Sequence, residues 1–268
     1  TQRLVRIAAG LAESPGRAIS SSCGRSGAQA ISRLFEREEV TVESVLSEHK
    51  IQTRNRCIDN GGWIFAVQDT TALDFSGHED TEGLGPISTA KSGNGLQMHT
   101  TLLLTEEKTV LGLASVNIWA REEEDLGKAK QRRNRLVSDK ESSKWLRGKD
   151  DAESVVPEHL NLLVIGDRES DVFALFAAPR RENTHLLVRA CRNRALVDEE
   201  FAYLEDAVKG AQVLGGYLLD VPRQGKRAAR SAKLEIRVAE IVAKPPANKT
   251  ADVPDTPVKL WMVSAREI

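Results

Sequence analysis

The pattern of apolar and polar residues divides the chain into a helical start, a central series of strands and a final series of alternating strands. In residues 2–12 the apolar side chains recur at helical spacing, and a Pro-Gly pair ends the run. Similar apolar faces predict helices over 26–37 and 42–55. The first 60 residues are therefore predicted to form a small helical module.

From Gly61 the spacing changes to that of strands. The segment WIFAVQDTTALDF predicts an apolar strand that runs into Asp69. The segments LQMHTTLLL and TVLGLASVNI predict two further strands, and the short polar link TEEK between them favours an antiparallel pair. The first three strands are thus predicted to form a meander.

The next elements alternate between helix and strand. In SDKESSKWLRG we predict a helix capped by Ser138, and HLNLLVIGD predicts a strand that ends at Gly166-Asp167. A short helix and a fifth strand, THLLVRAC, follow, and the apolar character of both faces of this strand favours a central or parallel position. The segments GGYLLDVP, SAKLEIRVAEIVA and VKLWMVSAREI alternate and predict an appended antiparallel sheet.

Three meandering strands, a helix, a strand and a helix are the element order of a ribonuclease-H-like α/β core. In that arrangement the first and fourth strands are neighbours in the sheet. Asp69 on the first strand and Asp167 at the end of the fourth are then expected to converge. Carboxylates so placed suit Mg2+, and two such ions bound on either side of a phosphate catalyse phosphodiester chemistry.

From spacing alone, simpler interpretations of both aspartates stay open. Asp69 can be a turn residue at a strand end, and Asp167 can be a helix cap after a strand. Glu169 and Asp171 make the DRESD segment densely acidic, which requires cations or solvent nearby. The five histidines have no paired metal-ligand spacing and are predicted to have ordinary structural or surface roles.

Composition neither requires nor excludes a nucleic-acid partner. The net charge is -1, so the positions of the charges matter more than their sum. The opening segment is basic, because only Glu13 and Glu36 accompany its six arginines. These are Arg3, Arg6, Arg17, Arg25, Arg33 and Arg37. No apolar run has the roughly 20 residues of a membrane helix, and a cytoplasmic protein is predicted.

At these motifs the chain resembles the DDE transposases of the insertion-sequence-four family. The resemblance spans the whole chain and rests on the strings RLVRIAAGLAESPGRAIS, VQDTTALDF, KESSKWL, VIGDRESDVFALF and HLLVRACRNR. The most specific signature is VQDTT and GDRESD in that order, with ESSKWL between them.

The resemblance implies a DNA-end-binding helical module (1–60), a ribonuclease-H-like catalytic core (61–195) and an incomplete β-rich insertion (196–268). Asp69 matches the first catalytic, metal-binding aspartate and Asp167 the second. Arg3, Arg17 and Arg33 resemble the residues that bind DNA. Family members act in the bacterial cytosol or nucleoid as a synaptic homodimer. They use Mg2+, with Mn2+ as a substitute, to cut DNA at transposon ends and join it to target DNA.

The third carboxylate of the family is a glutamate on a helix beyond the insertion, outside the printed residues. We therefore expect a chain truncated at both ends and inactive on its own. The alternative is a non-catalytic DNA-binding or inhibitory product of the same kind of gene. The family also stacks a flipped base on a tryptophan of the insertion, but we interpret Trp261 as a packing residue, because its segment resembles an earlier strand of the insertion.

Overall fold

The computed structural model describes residues 2–78, 80–88, 93–122 and 135–268, apart from the side chains of Arg3 and Leu4. Within these residues the protein combines a mixed sheet and flanking helices with a second, antiparallel sheet. The predicted α/β class is confirmed. No helix in these ranges is long and apolar enough to cross a membrane.

The main sheet begins as the predicted meander. Its strands are β1 (Trp63–Asp74), β2 (Gly85–Pro86), β3 (Asn94–Leu104), β4 (Val110–Trp119), β5 (Asn161–Gly166) and β6 (Thr184–Val188). Strand β3 pairs antiparallel with β1 on one side and with β4 on the other, and the short β2 lies beside the start of β3. Strand β5 pairs with β1, and β6 pairs with β5, both in parallel. The first and fourth long strands are therefore neighbours.

Three helices precede the sheet: α1 (Gln2–Ala12), α2 (Ile19–Phe35) and α3 (Val42–Asn60). Helices α1 and α2 pack on each other and bury Ile7 and Ile31. The helix predicted over 26–37 begins earlier than expected. It also has a break at Gly24, where φ is 69°, a conformation that glycine adopts at little cost.

Helix α3 packs on the sheet. A capping box between Thr41 and Ser44 fixes its start, with hydrogen bonds of 3.1 Å and 2.9 Å between side chains and backbone amides. The His49 imidazole accepts a hydrogen bond of 2.8 Å from the Leu113 amide of β4. At Gly112 the helix approaches so closely that a β-carbon would collide with the Thr53 hydroxyl. The domain boundary after residue 60 stays a prediction.

The main core lies between the sheet, α3 and the helix α4 (Ser143–Val155). Its fully buried members include Cys57, Ile64, Ala66, Leu103, Ala114, Ala152 and Val156. The predicted Ser138 cap of α4 is wrong. Residues Val137–Asp139 form a separate 3-10 turn, the Ser138 hydroxyl donates to Asp139, and α4 begins five residues later.

The second sheet contains β7 (Val213–Val221), β8 (Arg230–Ala243) and β9 (Val258–Glu267), paired antiparallel in that order. The predicted appended antiparallel sheet is confirmed. A helix that the sequence analysis missed, α6 (Leu204–Gly210), packs on it through Leu204 and Ala207. The short helix α5 (Phe173–Ala177) joins the two halves, because Phe173 packs against Ala243 and Val253.

Candidate metal centre

Asp69 and Asp167 lie side by side at the same level of two neighbouring strands. The last backbone partners of β1 and β5 are Val67 and Ile165, and each aspartate follows two residues later. Adjacent strands are about 4.8 Å apart, so the backbones of the two aspartates are close to each other. The predicted adjacency of the two strands is confirmed, and the catalytic role of the two residues stays a prediction.

Both aspartates point away from the main core. Along β1 the buried side chains are Ile64, Ala66 and Gln68, so Asp69 projects from the opposite face and is exposed. On β5 the alternation leaves Asp167 on that same face, also exposed. Among the described residues, both side chains are therefore open to solvent.

Each carboxylate is oriented by one backbone amide. The Thr70 amide donates to Asp69 Oδ1 at 2.8 Å, and the Glu169 amide donates to Asp167 Oδ1 at 2.9 Å. Asp167 caps a one-turn 3-10 helix, Arg168–Ser170, and the Ser170 hydroxyl returns a 2.7 Å hydrogen bond to its carbonyl oxygen. The capping interpretation of Asp167 is thus correct for one oxygen, and the other oxygen accepts no hydrogen bond from any described residue.

The neighbouring acidic residues form ion pairs with cationic side chains. Glu169 forms an ion pair of 3.3 Å with the buried Lys144, which also lies 3.6 Å from Glu141. Asp171 is buried and forms an ion pair with Arg194. Burial alone raises the Asp171 pKa, but the Cys191 amide and the Arg194 guanidinium outweigh it and hold that pKa below its ordinary range.

Asp69 and Asp167, by contrast, form no ion pair within the described ranges. Nor does any group of three or more His, Cys, Asp or Glu side chains come together there as a complete metal site. What the structure brings together is a pair of adjacent carboxylates with the same charge.

A buried polar layer beneath the pair was not recognised from the sequence. His99 on β3 is 2% exposed and lies between Gln68 and Thr70, the two neighbours of Asp69. Trp145 on α4 is 1% exposed, and its ring meets the His99 ring edge-on. The available signal was the placement of Gln97, His99 and Thr101 at alternate positions on the inward face of an otherwise apolar strand.

The predicted DNA-binding arginines lie in the α1–α2 region. Arg17 precedes α2 and Arg33 lies in its last turn; both are exposed. Neither forms an ion pair with another described residue. The side chain of Arg3 lies outside the described part of the structure.

Trp261 does not pack as expected. It lies on β9 and is 69% exposed, so the interpretation of this residue as a packing residue is wrong. It pairs across the sheet with Glu240, on a strand whose side chains are mostly exposed or half-buried.

No protein-family model matches the chain.

Proposed function

We propose that this protein is a metal-dependent DNA transposase of the DDE type, with Asp69 and Asp167 as two of its metal ligands. Its main sheet would be a ribonuclease-H-like core, and its α1–α2 region would bind transposon-end DNA. The observation that carries the proposal is the placement of both carboxylates at one level and on one face of β1 and β5.

The strand order supports the proposed type of core. An antiparallel meander, β4-β3-β1, is extended by two parallel strands, β5 and β6, and the carboxylates sit where β1 meets β5. Both carboxylates are exposed on that face, from which a duplex would approach.

The donor set fits magnesium. Carboxylate oxygens are the hard ligands that Mg2+ prefers. Within the part of the chain that the structure describes, the two adjacent carboxylates have no cationic partner, so they repel each other, and a divalent ion would remove that repulsion. The ions themselves would supply an activated water or 3'-hydroxyl and stabilise the leaving oxygen.

The surrounding residues leave the Asp69 and Asp167 carboxylates able to bind an ion. Lys144 and Arg194 hold Glu169 and Asp171, which would otherwise add negative charge around the pair. The amides of Thr70 and Glu169 each occupy one oxygen of the pair and leave the other free to bind an ion.

Binding of DNA has separate support from exposed arginines in the α1–α2 region. Because Arg17 and Arg33 have no acidic partner among the described residues, both can contact phosphates. The same observation favours the second candidate function, a product that occupies transposon ends without cutting them. The exposed Trp261 also becomes available for stacking on a base.

Binding of Mn2+ to this chain tests the proposal. We expect Mn2+ binding, measured by electron paramagnetic resonance, that is lost in Asp69→Asn and in Asp167→Asn but kept in Asp220→Asn. Asp220 is a matched control, because it is an exposed aspartate on the second sheet. Equal Mn2+ affinity in all four proteins would remove the two residues from any metal site.

A gel shift with random-sequence duplex DNA, run beside a nicking assay with Mg2+, separates the two candidates. DNA binding that Mg2+ strengthens, with that effect lost in Asp69→Asn, supports the enzyme, and so does any nicking with the same dependence on Asp69. Bound DNA that stays intact while Mn2+ also fails to bind supports the non-catalytic product.

A further inference from the structure

We infer that the buried His99–Trp145 pair is a positioning element that sets the separation of the Asp69 and Asp167 carboxylates. The inference rests on the proposed function, since it assigns a role in the same metal site. It goes beyond that function by naming residues that contact neither metal nor DNA.

His99 contacts the side chains of the residues on both sides of Asp69. Its Nδ1 lies 2.9 Å from the Thr70 hydroxyl, and its Nε2 lies 3.1 Å from Gln68 Oε1. Thr70 is also the direct cross-strand partner of His99. One imidazole thus connects the residues before and after Asp69, which faces the other side of the sheet.

Trp145 holds the residue before Asp167 from the same side. Its ring is 3.3 Å from the position that a β-carbon would take on Gly166. The Ser170 side chain fills the rest of that space, so Gly166 has room only for hydrogen. Because Gly166 is bonded to Asp167, the packing of Trp145 limits how the Asp167 backbone can move.

The two rings contact each other, so the two strand segments are not held independently. Their centroids are 4.7 Å apart, and their planes meet at 80°. Both side chains are fully buried, and a well-packed interior resists displacement of either ring. A shift at Asp69 would therefore be transmitted through the rings to Asp167.

His99 has the protonation state that this role needs. Burial, and then the nearby Lys144 ammonium, lower its pKa to about 4, so the ring is neutral near pH 7. A neutral imidazole has one donor and one acceptor. It can donate from Nε2 to the Gln68 carbonyl oxygen and accept at Nδ1 from the Thr70 hydroxyl.

An apolar residue would fill the same space with less loss of solvation, so packing alone does not explain a histidine here. Polar groups that orient metal-binding side chains typically change metal affinity about 10- to 100-fold when removed. That range is the effect expected of His99.

The test compares His99→Phe with Thr101→Val. Phenylalanine keeps an aromatic ring against Trp145 but loses both polar contacts. Thr101 is a matched control, because it is fully buried on the same strand and face and its hydroxyl bonds to Ser115. We expect Mn2+ affinity to fall about 10- to 100-fold in His99→Phe and to stay within about twofold of wild type in Thr101→Val.

A second measurement needs no metal. The Thr70 amide that bonds to Asp69 Oδ1 should exchange its proton faster in His99→Phe than in wild type, and unchanged in Thr101→Val. If His99→Phe does not fold, Thr70→Val replaces it, because this variant removes the contact between the Thr70 hydroxyl and His99 Nδ1 from the β1 side. It should likewise lower the Mn2+ affinity and speed exchange of the residue 70 amide proton.

The outcomes separate the two proposals. Wild-type protein that binds no Mn2+ contradicts the proposed function, and the amide exchange then still tests the positioning of Asp69. Mn2+ binding that depends on Asp69 but is unchanged in His99→Phe overturns the positioning role alone.

Discussion

The indole ring of Trp145 lies against Gly166, 3.3 Å from the point where a β-carbon would stand. This contact, together with the Ser170 side chain, makes position 166 intolerant of any larger residue. We expect Gly166→Ala to lower the free energy of unfolding by about 1–3 kcal/mol, because an extra methyl group in a filled space forces its neighbours to move. Urea unfolding measures the change.

Gly77→Ala is the matched control for that variant. Gly77 has open space around its α-carbon, and the substitution is expected to change the unfolding free energy by less than about 0.5 kcal/mol. Equal stabilities of the two alanine variants would contradict this account, because they would mean that the Ser170 and Trp145 side chains can move away from the added methyl group at little cost.

Stability should fall in mild acid because of His99. Its pKa in the folded protein is about 4, and in an unfolded chain histidine titrates near 6.5, so between these values only the unfolded chain binds the proton. Protonation then favours unfolding. Wild-type protein should lose about 1.5 kcal/mol between pH 6.5 and pH 5 from this group.

Urea unfolding of His99→Phe at the same two pH values tests this account. The variant should lose less stability than wild type over that interval, whereas Thr101→Val should lose as much. The half-buried His49, whose pKa is lowered by burial and then by Arg56, contributes a smaller loss of the same sign in every protein. Identical losses in wild type and His99→Phe would contradict the assignment to His99.

Arg33→Ala should weaken DNA binding and reduce its dependence on salt. Each phosphate contact releases counterions, so loss of one contact should lower the slope of log affinity against log salt by about 1. Lys209→Ala serves as control, since this exposed lysine lies on α6 and pairs with Asp206. A slope unchanged from wild type would make Arg33 a bystander on the surface.

The tryptophans differ in what they contribute to stability. Trp145 is 1% exposed, and its replacement by alanine should cost about 3–5 kcal/mol. Trp261 is 69% exposed, and its replacement should cost less than about 1 kcal/mol. Thermal unfolding of both variants measures these changes in stability. A large loss of unfolding free energy in Trp261→Ala would show that β9 needs this side chain.

Sequence patterns predicted the elements that depend on local alternation. The strands around Asp69 and before Asp167, their meander and their parallel adjacency follow from apolar periodicity and element order. The fifth strand is parallel as predicted but lies at the sheet edge, with Leu187 54% exposed. Strand β6 has only five residues, and so short a run of apolar and polar side chains does not show whether one or both faces of the strand are buried.

Features that depend on distant partners could not be predicted in this way. The role of His99 is defined by Thr70 and Gln68, about 30 positions earlier. In the sequence Glu169 belongs to an acidic cluster, whereas in the structure Lys144 of α4 forms an ion pair with it. Ser138 has the residue type of a cap, yet its hydroxyl bonds to Asp139 instead of a helix amide.

The pairing of β1 with β5 has a consequence for the order of folding. The two strands are joined by a long stretch of chain that includes β2, β3, β4 and α4. Contacts between such distant segments form slowly, because the intervening chain must first be ordered. While the protein is being synthesised, Asp69 leaves the ribosome well before its neighbour exists. The two negative charges meet only when the sheet closes, so the proposed cation site would be a late product of folding.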